Sequence, residues 1–96
     1  MDKNTILETL KEIKPVLTEK YGVTELALFG SYSRDGQTEK SDIDVMVSFS
    51  FPLGFEYFDL VDDLKNTFKP KEVQVVSKKA IKPKYFDAIK KDLLYA

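Results

Sequence analysis

Leu28-Phe29-Gly30-Ser31-Tyr32-Ser33-Arg34-Asp35 and, five residues further on, Ser41-Asp42-Ile43-Asp44-Val45 are two pieces of one unit. The first closes a short apolar run, Thr24–Phe29, which is read as a buried strand ended by Gly30. The second opens a period-two pattern, with Ile43, Val45, Val47 and Phe49 alternating with Asp42, Asp44, Met46 and Ser48, the signature of a strand. On such a strand Asp42 and Asp44 leave the same face. Two carboxylates pointing one way repel each other unless a cation sits between them, and a pair of hard oxygen ligands suits Mg²⁺, which completes its shell with water and phosphate oxygens. Gly30 and Ser31 open a turn over residues 31–35 that offers free backbone N–H groups to a phosphate, with the Ser31 hydroxyl as an extra donor. Glycine at position 30 lets the backbone approach without a Cβ in the way. The two pieces share a site if their strands run antiparallel, so that phosphate cradle and metal carboxylates meet at one edge of the sheet.

Outward from this unit, Ile6, Leu10, Ile13, Leu17 and Tyr21 have helical spacing, with Asp2 or Asn4 as cap, Pro15 as an expected kink and Gly22 as the stop. Beyond Pro52 and Gly54, the stripe Phe58, Val61, Leu64, Phe68 predicts a second helix with Asp62 and Asp63 on its solvated side. Val73, Val75 and Val76 read as a third strand, and Tyr85, Phe86, Ile89 and Leu93 as a closing helix after Pro83. The expected fold is α/β (α+β): a small mixed sheet of about three strands covered by helices in two layers, forming one domain over residues 1–96.

Composition narrows the chemistry. The chain has no cysteine and no histidine, which excludes disulfides, thiolate nucleophiles and His-ligated zinc and leaves carboxylates as the strong metal ligands. No apolar run approaches the ~20 residues of a membrane span, and there is no secretory h-region, so a cytoplasmic location with no membrane partner is expected. The net charge of −1 does not advertise nucleic-acid binding. Its distribution is uneven: residues 69–91 contain eight lysines against Glu72 and Asp87, a solvated face or a basic rim for polyphosphate, RNA or an acidic partner.

Gly30-Ser31, ten residues, then Asp42-Ile43-Asp44 resembles the Gly-Ser-x10-Asp-x-Asp signature of the DNA polymerase β-like nucleotidyltransferases. The fuller run, through Arg34 to Ser41-Asp42-Ile43-Asp44-Val45, looks like the minimal nucleotidyltransferase (MNT) branch, and the likeness continues to the closing Ile89–Ala96. The resemblance implies a domain that transfers AMP from ATP to a protein acceptor by a two-metal mechanism, as the antitoxin of a HEPN/MNT pair. It implies Asp42 and Asp44 as catalytic magnesium ligands, Gly30 and Ser31 as nucleotide-binding, Arg34 as motif support or phosphate contact, and a HEPN-type partner.

One position departs from the family pattern. The third strand of fully active members carries a third carboxylate, and the matching residue here is Gln74. An amide can offer a metal one oxygen but no charge, and it cannot accept the proton of an attacking hydroxyl. That weakens one of the two metals and favours nucleotide binding over turnover. Glu72, two residues earlier on the same face, is the candidate substitute. Gln74 thus separates two readings: a protein adenylyltransferase, or a catalytically weakened module that neutralises its partner by contact. An RNA-facing module built on the lysine-rich third is a less favoured alternative. Substrate choice is expected to come from a partner or an oligomer. Five aromatics around Pro52 and Gly54 divide between core (Phe49, Phe58) and an exposed patch, while Tyr32 and Ser33 are expected at the surface near the nucleotide.

Overall fold

All residues from 1 to 96 are described by the structure, a computed structural model. Of the two possible caps, Asp2 opens the first helix: its carboxylate accepts the Thr5 N–H at 2.9 Å, and that bond holds the carboxyl below its ordinary pKa. Helix α1 (Lys3–Tyr21) buries Ile6, Leu10, Leu17 and Tyr21. It continues through Pro15, where a kink was expected. Pro15 and Lys11 are both exposed, so the Lys11 carbonyl that loses its donor can turn to water. Gly22 ends the helix in the left-handed region, φ 69°, with its N–H on the Thr18 carbonyl.

Strands β1 (Val23–Phe29) and β2 (Ile43–Phe49) pair antiparallel, with Leu26 opposite Val47, Leu28 opposite Val45 and Phe29 opposite Asp44. Helix α2 (Glu56–Phe68) returns the chain, and β3 (Val73–Ser77) then lies parallel to β2 with Gln74 opposite Asp44. After a 3₁₀ turn (Lys78–Ala80), α3 (Pro83–Ile89) and a second 3₁₀ turn (Lys90–Asp92), a two-residue strand β4 (Leu94–Tyr95) pairs antiparallel with β1. The sheet is mixed, in the order β3-β2-β1-β4.

The fourth strand is an addition to the three expected. Leu93 and Leu94 have the apolar character of a helix end, and two residues are too few to show a period. The layering also differs from the two layers expected. Leu26, Leu28, Ile43, Val45, Val47 and Val73 pack against α1 and α2. On the other face, Ala27, Phe29 and Met46 are covered by Ile81, Phe86, Ile89 and Leu93 from the C-terminal segment, a thin third layer.

Three local expectations change. The buried stripe of α2 is Leu60, Leu64 and Phe68, with Tyr57 partly buried, while Phe58 is 65% exposed. Tyr32 is core, 2% exposed, because the turn after Gly30 directs its ring into the main cluster. Asp63 is not simply solvated: it accepts the Tyr21 hydroxyl at 2.7 Å and the Lys20 ammonium at 2.9 Å, tying α2 to α1. The Tyr21 hydroxyl and then Lys20 hold the Asp63 carboxyl below its ordinary value. A depressed carboxyl stabilises the fold above its unfolded pKa, and that stability is lost as pH falls through the folded value. Asp63→Asn is therefore expected to lose about 1 kcal/mol in urea unfolding at pH 7, a modest figure because the site is partly solvated. The variant and wild-type curves should converge once the pH is taken below the carboxylate range; a gap that persists in acid counts against the assignment.

Candidate active site

The chain leaves β1 through Gly30, whose φ of 79° turns it abruptly away from the sheet. A Cβ at this position would overlap the Asp44 carboxylate and lie 3.1 Å from its Cγ, so glycine is what allows the turn and that carboxylate to be neighbours. The turn is helical in its bonding: the N–H groups of Ser33, Arg34 and Asp35 go to the carbonyls of Gly30, Ser31 and Tyr32, and that of Gly36 returns to Ser31. The donors left at its N-terminal end are the N–H groups of Ser31 and Tyr32, the position where a helical turn offers amides to an anion. Ser33 is held locally, its hydroxyl donating to the Gly30 carbonyl at 2.9 Å. Asp35 takes the residual strain of the turn, at φ 56°, and pairs with Lys3 at 3.0 Å.

Asp42, just before β2, and Asp44, its second residue, flank this turn. Burial lifts the Asp44 carboxyl above its ordinary pKa, the charge of Asp42 lifts it further, and Arg34 partly offsets both. Gln74 lies beside them on β3, and its Nε2 donates to the Asp42 Oδ2 at 3.3 Å. Gly30, Asp42, Asp44 and Gln74 thus converge, with Ser31 at the mouth of the turn. Arg34 is near enough for its charge to act on Asp44, and its Nη1 pairs with the Asp92 Oδ2 at 3.2 Å, fastening the motif turn to the second 3₁₀ turn. Sequence reasoning did not identify Asp92. An acidic residue at the end of a basic stretch carries no local signal, and its partner lies 58 positions away.

Two half-screened carboxylates on one strand face are a donor set for one hard divalent cation, whose remaining positions a triphosphate and water would fill. No third acidic side chain joins them: nowhere in the chain do three potential ligands gather in a metal-binding group, and Glu72 approaches this strand through its main chain, its carbonyl accepting the Ile43 N–H at 2.9 Å.

A family model described as nucleotidyltransferase domain matches residues 10–96. A Methanocaldococcus jannaschii protein, provisionally named a protein adenylyltransferase, is 43% identical over 94 residues, covering 94% of this chain and 93% of its own. The protein adenylyltransferase MntA of Thermococcus cleftensis is 30% identical over 95 residues, covering 91% and 95%. The fold is similar to a solved structure provisionally described as a minimal nucleotidyltransferase, with a TM-score of 0.80, 21% identity and coverage of 98% of this chain and 95% of that one. A crystal structure of a toxin-antitoxin with AMP-PNP matches at a TM-score of 0.57 and 25% identity, covering 85% of this chain and 61% of that one.

Proposed function

The chain belongs to the nucleotidyltransferase domain family, and on that premise we propose that it binds ATP with Mg²⁺ and transfers AMP to a hydroxyl of a HEPN-type toxin partner, acting as its antitoxin. The observation that supports this most is the convergence of the Gly30 turn with Asp42 and Asp44. The names of the two archaeal adenylyltransferases and the toxin-antitoxin neighbour with AMP-PNP point the same way.

In this reading the amides of Ser31 and Tyr32 and the Ser31 hydroxyl hold the terminal phosphates, and Asp42 and Asp44 are the ligands for magnesium. Magnesium, when bound, supplies the positive charge that the triphosphate and the developing oxyanion need. The acceptor oxygen attacks the α-phosphorus, the bond to the bridging oxygen breaks, and pyrophosphate leaves. Gln74 cannot take the acceptor's proton, so the proton passes to solvent or to a group beside the acceptor. Arg34, paired with Asp92 through one nitrogen, positions the motif turn and keeps its remaining guanidinium donors for a phosphate. Residues 1–96 act as one minimal cytoplasmic domain in complex with the partner.

A second reading has its own observation. The Gln74 amide donating to Asp42 relieves part of the carboxylate repulsion that a second metal would otherwise relieve, which fits a module that neutralises its partner by contact. One assay separates the two. ATP labelled at the α-phosphate is incubated with Mg²⁺ and the protein encoded by the neighbouring reading frame. Label on that protein, lost in Asp42→Asn and retained in Asp63→Asn, is the expected result. Neutralisation of the partner without any label overturns the transferase reading.

A further inference from the structure

The outer edge of β3 is an open strand with an apolar groove beside it. Because the Ile43 N–H bonds to the Glu72 carbonyl, the parallel ladder engages Glu72, Gln74 and Val76 with β2 and turns the main-chain groups of Val73, Val75 and Ser77 outward. The Val75 carbonyl receives only a long contact, 3.5 Å, from the Tyr57 hydroxyl. The strand reads Val-Gln-Val-Val-Ser, with none of the lysines, prolines or bulges that ordinarily blunt a free edge.

Along this edge runs a groove of about 700 Å³, lined by Tyr57, Val75, Val76, Ala80, Ile81 and Tyr85, within the usual size of a binding cleft. Its aromatic character continues outward: Phe58 packs edge-on against Tyr57, Tyr85 is 56% exposed and Phe55 88% exposed. On the α3 side stand Lys79, Lys82 and Lys84, none of which takes part in an ion pair. On the α2 side stand Glu56, which accepts the Gly54 N–H at 3.0 Å, and Asp59, both exposed and on the side away from the lysines. Two copies meeting edge to edge would bring lysine against lysine, a repulsion that a partner with acidic flanks converts to attraction.

We propose that this edge and groove bind an extended segment of a partner protein as a fifth strand, with alternate apolar side chains in the groove and acidic residues against Lys82 and Lys84. Backbone bonds to Val73, Val75 and Ser77 supply the alignment, and the groove supplies the selection. The groove lies toward the C-terminal end of β3, and the Val73 main-chain groups at the other end of the edge face away from β2 and its two aspartates, so binding here does not depend on the nucleotide reading.

The test uses a fluorescent, end-blocked peptide Asp-Glu-Val-Thr-Val-Thr-Val-Glu-Asp on the full chain, followed by anisotropy and by amide NMR shifts. Saturable binding with a Kd below about 1 mM is expected, with shifts at Val73, Val75, Ser77 and Tyr85. An N-methylated version, a version with lysine flanks, and the variants Tyr85→Glu and Lys82→Glu should each bind about tenfold more weakly or worse. Both variants alter exposed side chains, so the melting curve should not move, and Asp44→Asn should bind as wild type does. Failure of the acidic peptide to saturate, equal binding of the N-methylated peptide, displacement by single-stranded oligouridine, or a concentration-dependent dimer abolished by Tyr85→Glu each overturns the proposal.

Discussion

Gly30→Ala is expected to reduce AMP transfer at least about 100-fold while leaving the protein folded. Two independent costs fall on this one methyl group. The backbone sits at φ 79°, where an L-residue is strained by about 1–2 kcal/mol. The added Cβ also occupies the position of the Asp44 carboxylate, with its Cγ only 3.1 Å away. The strain falls on a turn whose Tyr32 belongs to the main core, so some stability is expected to be lost. The rest of that core lies on the other face of the sheet, and the domain should stay folded. The overlap cannot be absorbed without moving either the turn or the carboxylate, and the proposed reaction uses both on one triphosphate. A misplacement of about 1 Å at a reacting centre is worth about two orders of magnitude in rate. Gly36→Ala is the matching control. A Cβ there meets nothing nearer than the Ser31 carbonyl at 3.9 Å, and its φ is not in the left-handed region, so activity should be close to wild type. Urea unfolding beside the transfer assay separates the two costs. A Gly30→Ala protein that transfers within a few-fold of wild type would remove Asp44 from the site as described.

The second large effect is expected from the carboxylate set. Asp44→Asn should lower transfer about 10³-fold, the scale seen when a group that stabilises transition-state charge is removed. The same change should make the protein without Mg²⁺ slightly more stable at neutral pH. Burial and the neighbouring Asp42 disfavour the ionised Asp44 in the folded chain, and asparagine removes that charge. Opposite signs on activity and stability are what distinguish a site residue from a structural one. Gln74→Asp should act in the reverse sense. It places a carboxylate at the register partner of Asp44 and removes the amide that donates to Asp42. Mg²⁺ affinity and transfer are expected to rise about tenfold, and stability without Mg²⁺ to fall, measured by isothermal titration and by thermal melts with and without the ion. A Gln74→Asp protein unchanged in all three would mean that position 74 lies outside the metal's reach.

What could be read in the chain itself was what depends on neighbours in sequence. The strand alternation at Ile43–Phe49, the stop at Gly22, the turn opened by Gly30, and the same-face placement of Asp42 and Asp44 follow from backbone sterics and side-chain period, which act over a few residues. The antiparallel pairing of β1 and β2 was legible as well, because the spacing of the two motif pieces makes sense only if the strands turn back on each other. The resemblance to the nucleotidyltransferases rested on the same local words.

Other features were decided only by tertiary packing. Which side of α2 faces inward is a matter of a 100° rotation per residue: the stripe read from Phe58 and Val61 is displaced to Leu60 once β2 and α1 supply a surface to pack on. Tyr32 is buried because the turn aims it at that same core, not because of its neighbours in sequence. The two-residue strand β4 exists only because β1 offers it an edge. The pairs Arg34–Asp92 and Tyr21–Asp63, and the amide bridge from Gln74 to Asp42, join residues 58, 42 and 32 positions apart. No sequence period links such positions. Hydrogen bonds and ion pairs act over a few ångströms in space, so their partners are set only when the sheet order β3-β2-β1-β4 brings them together.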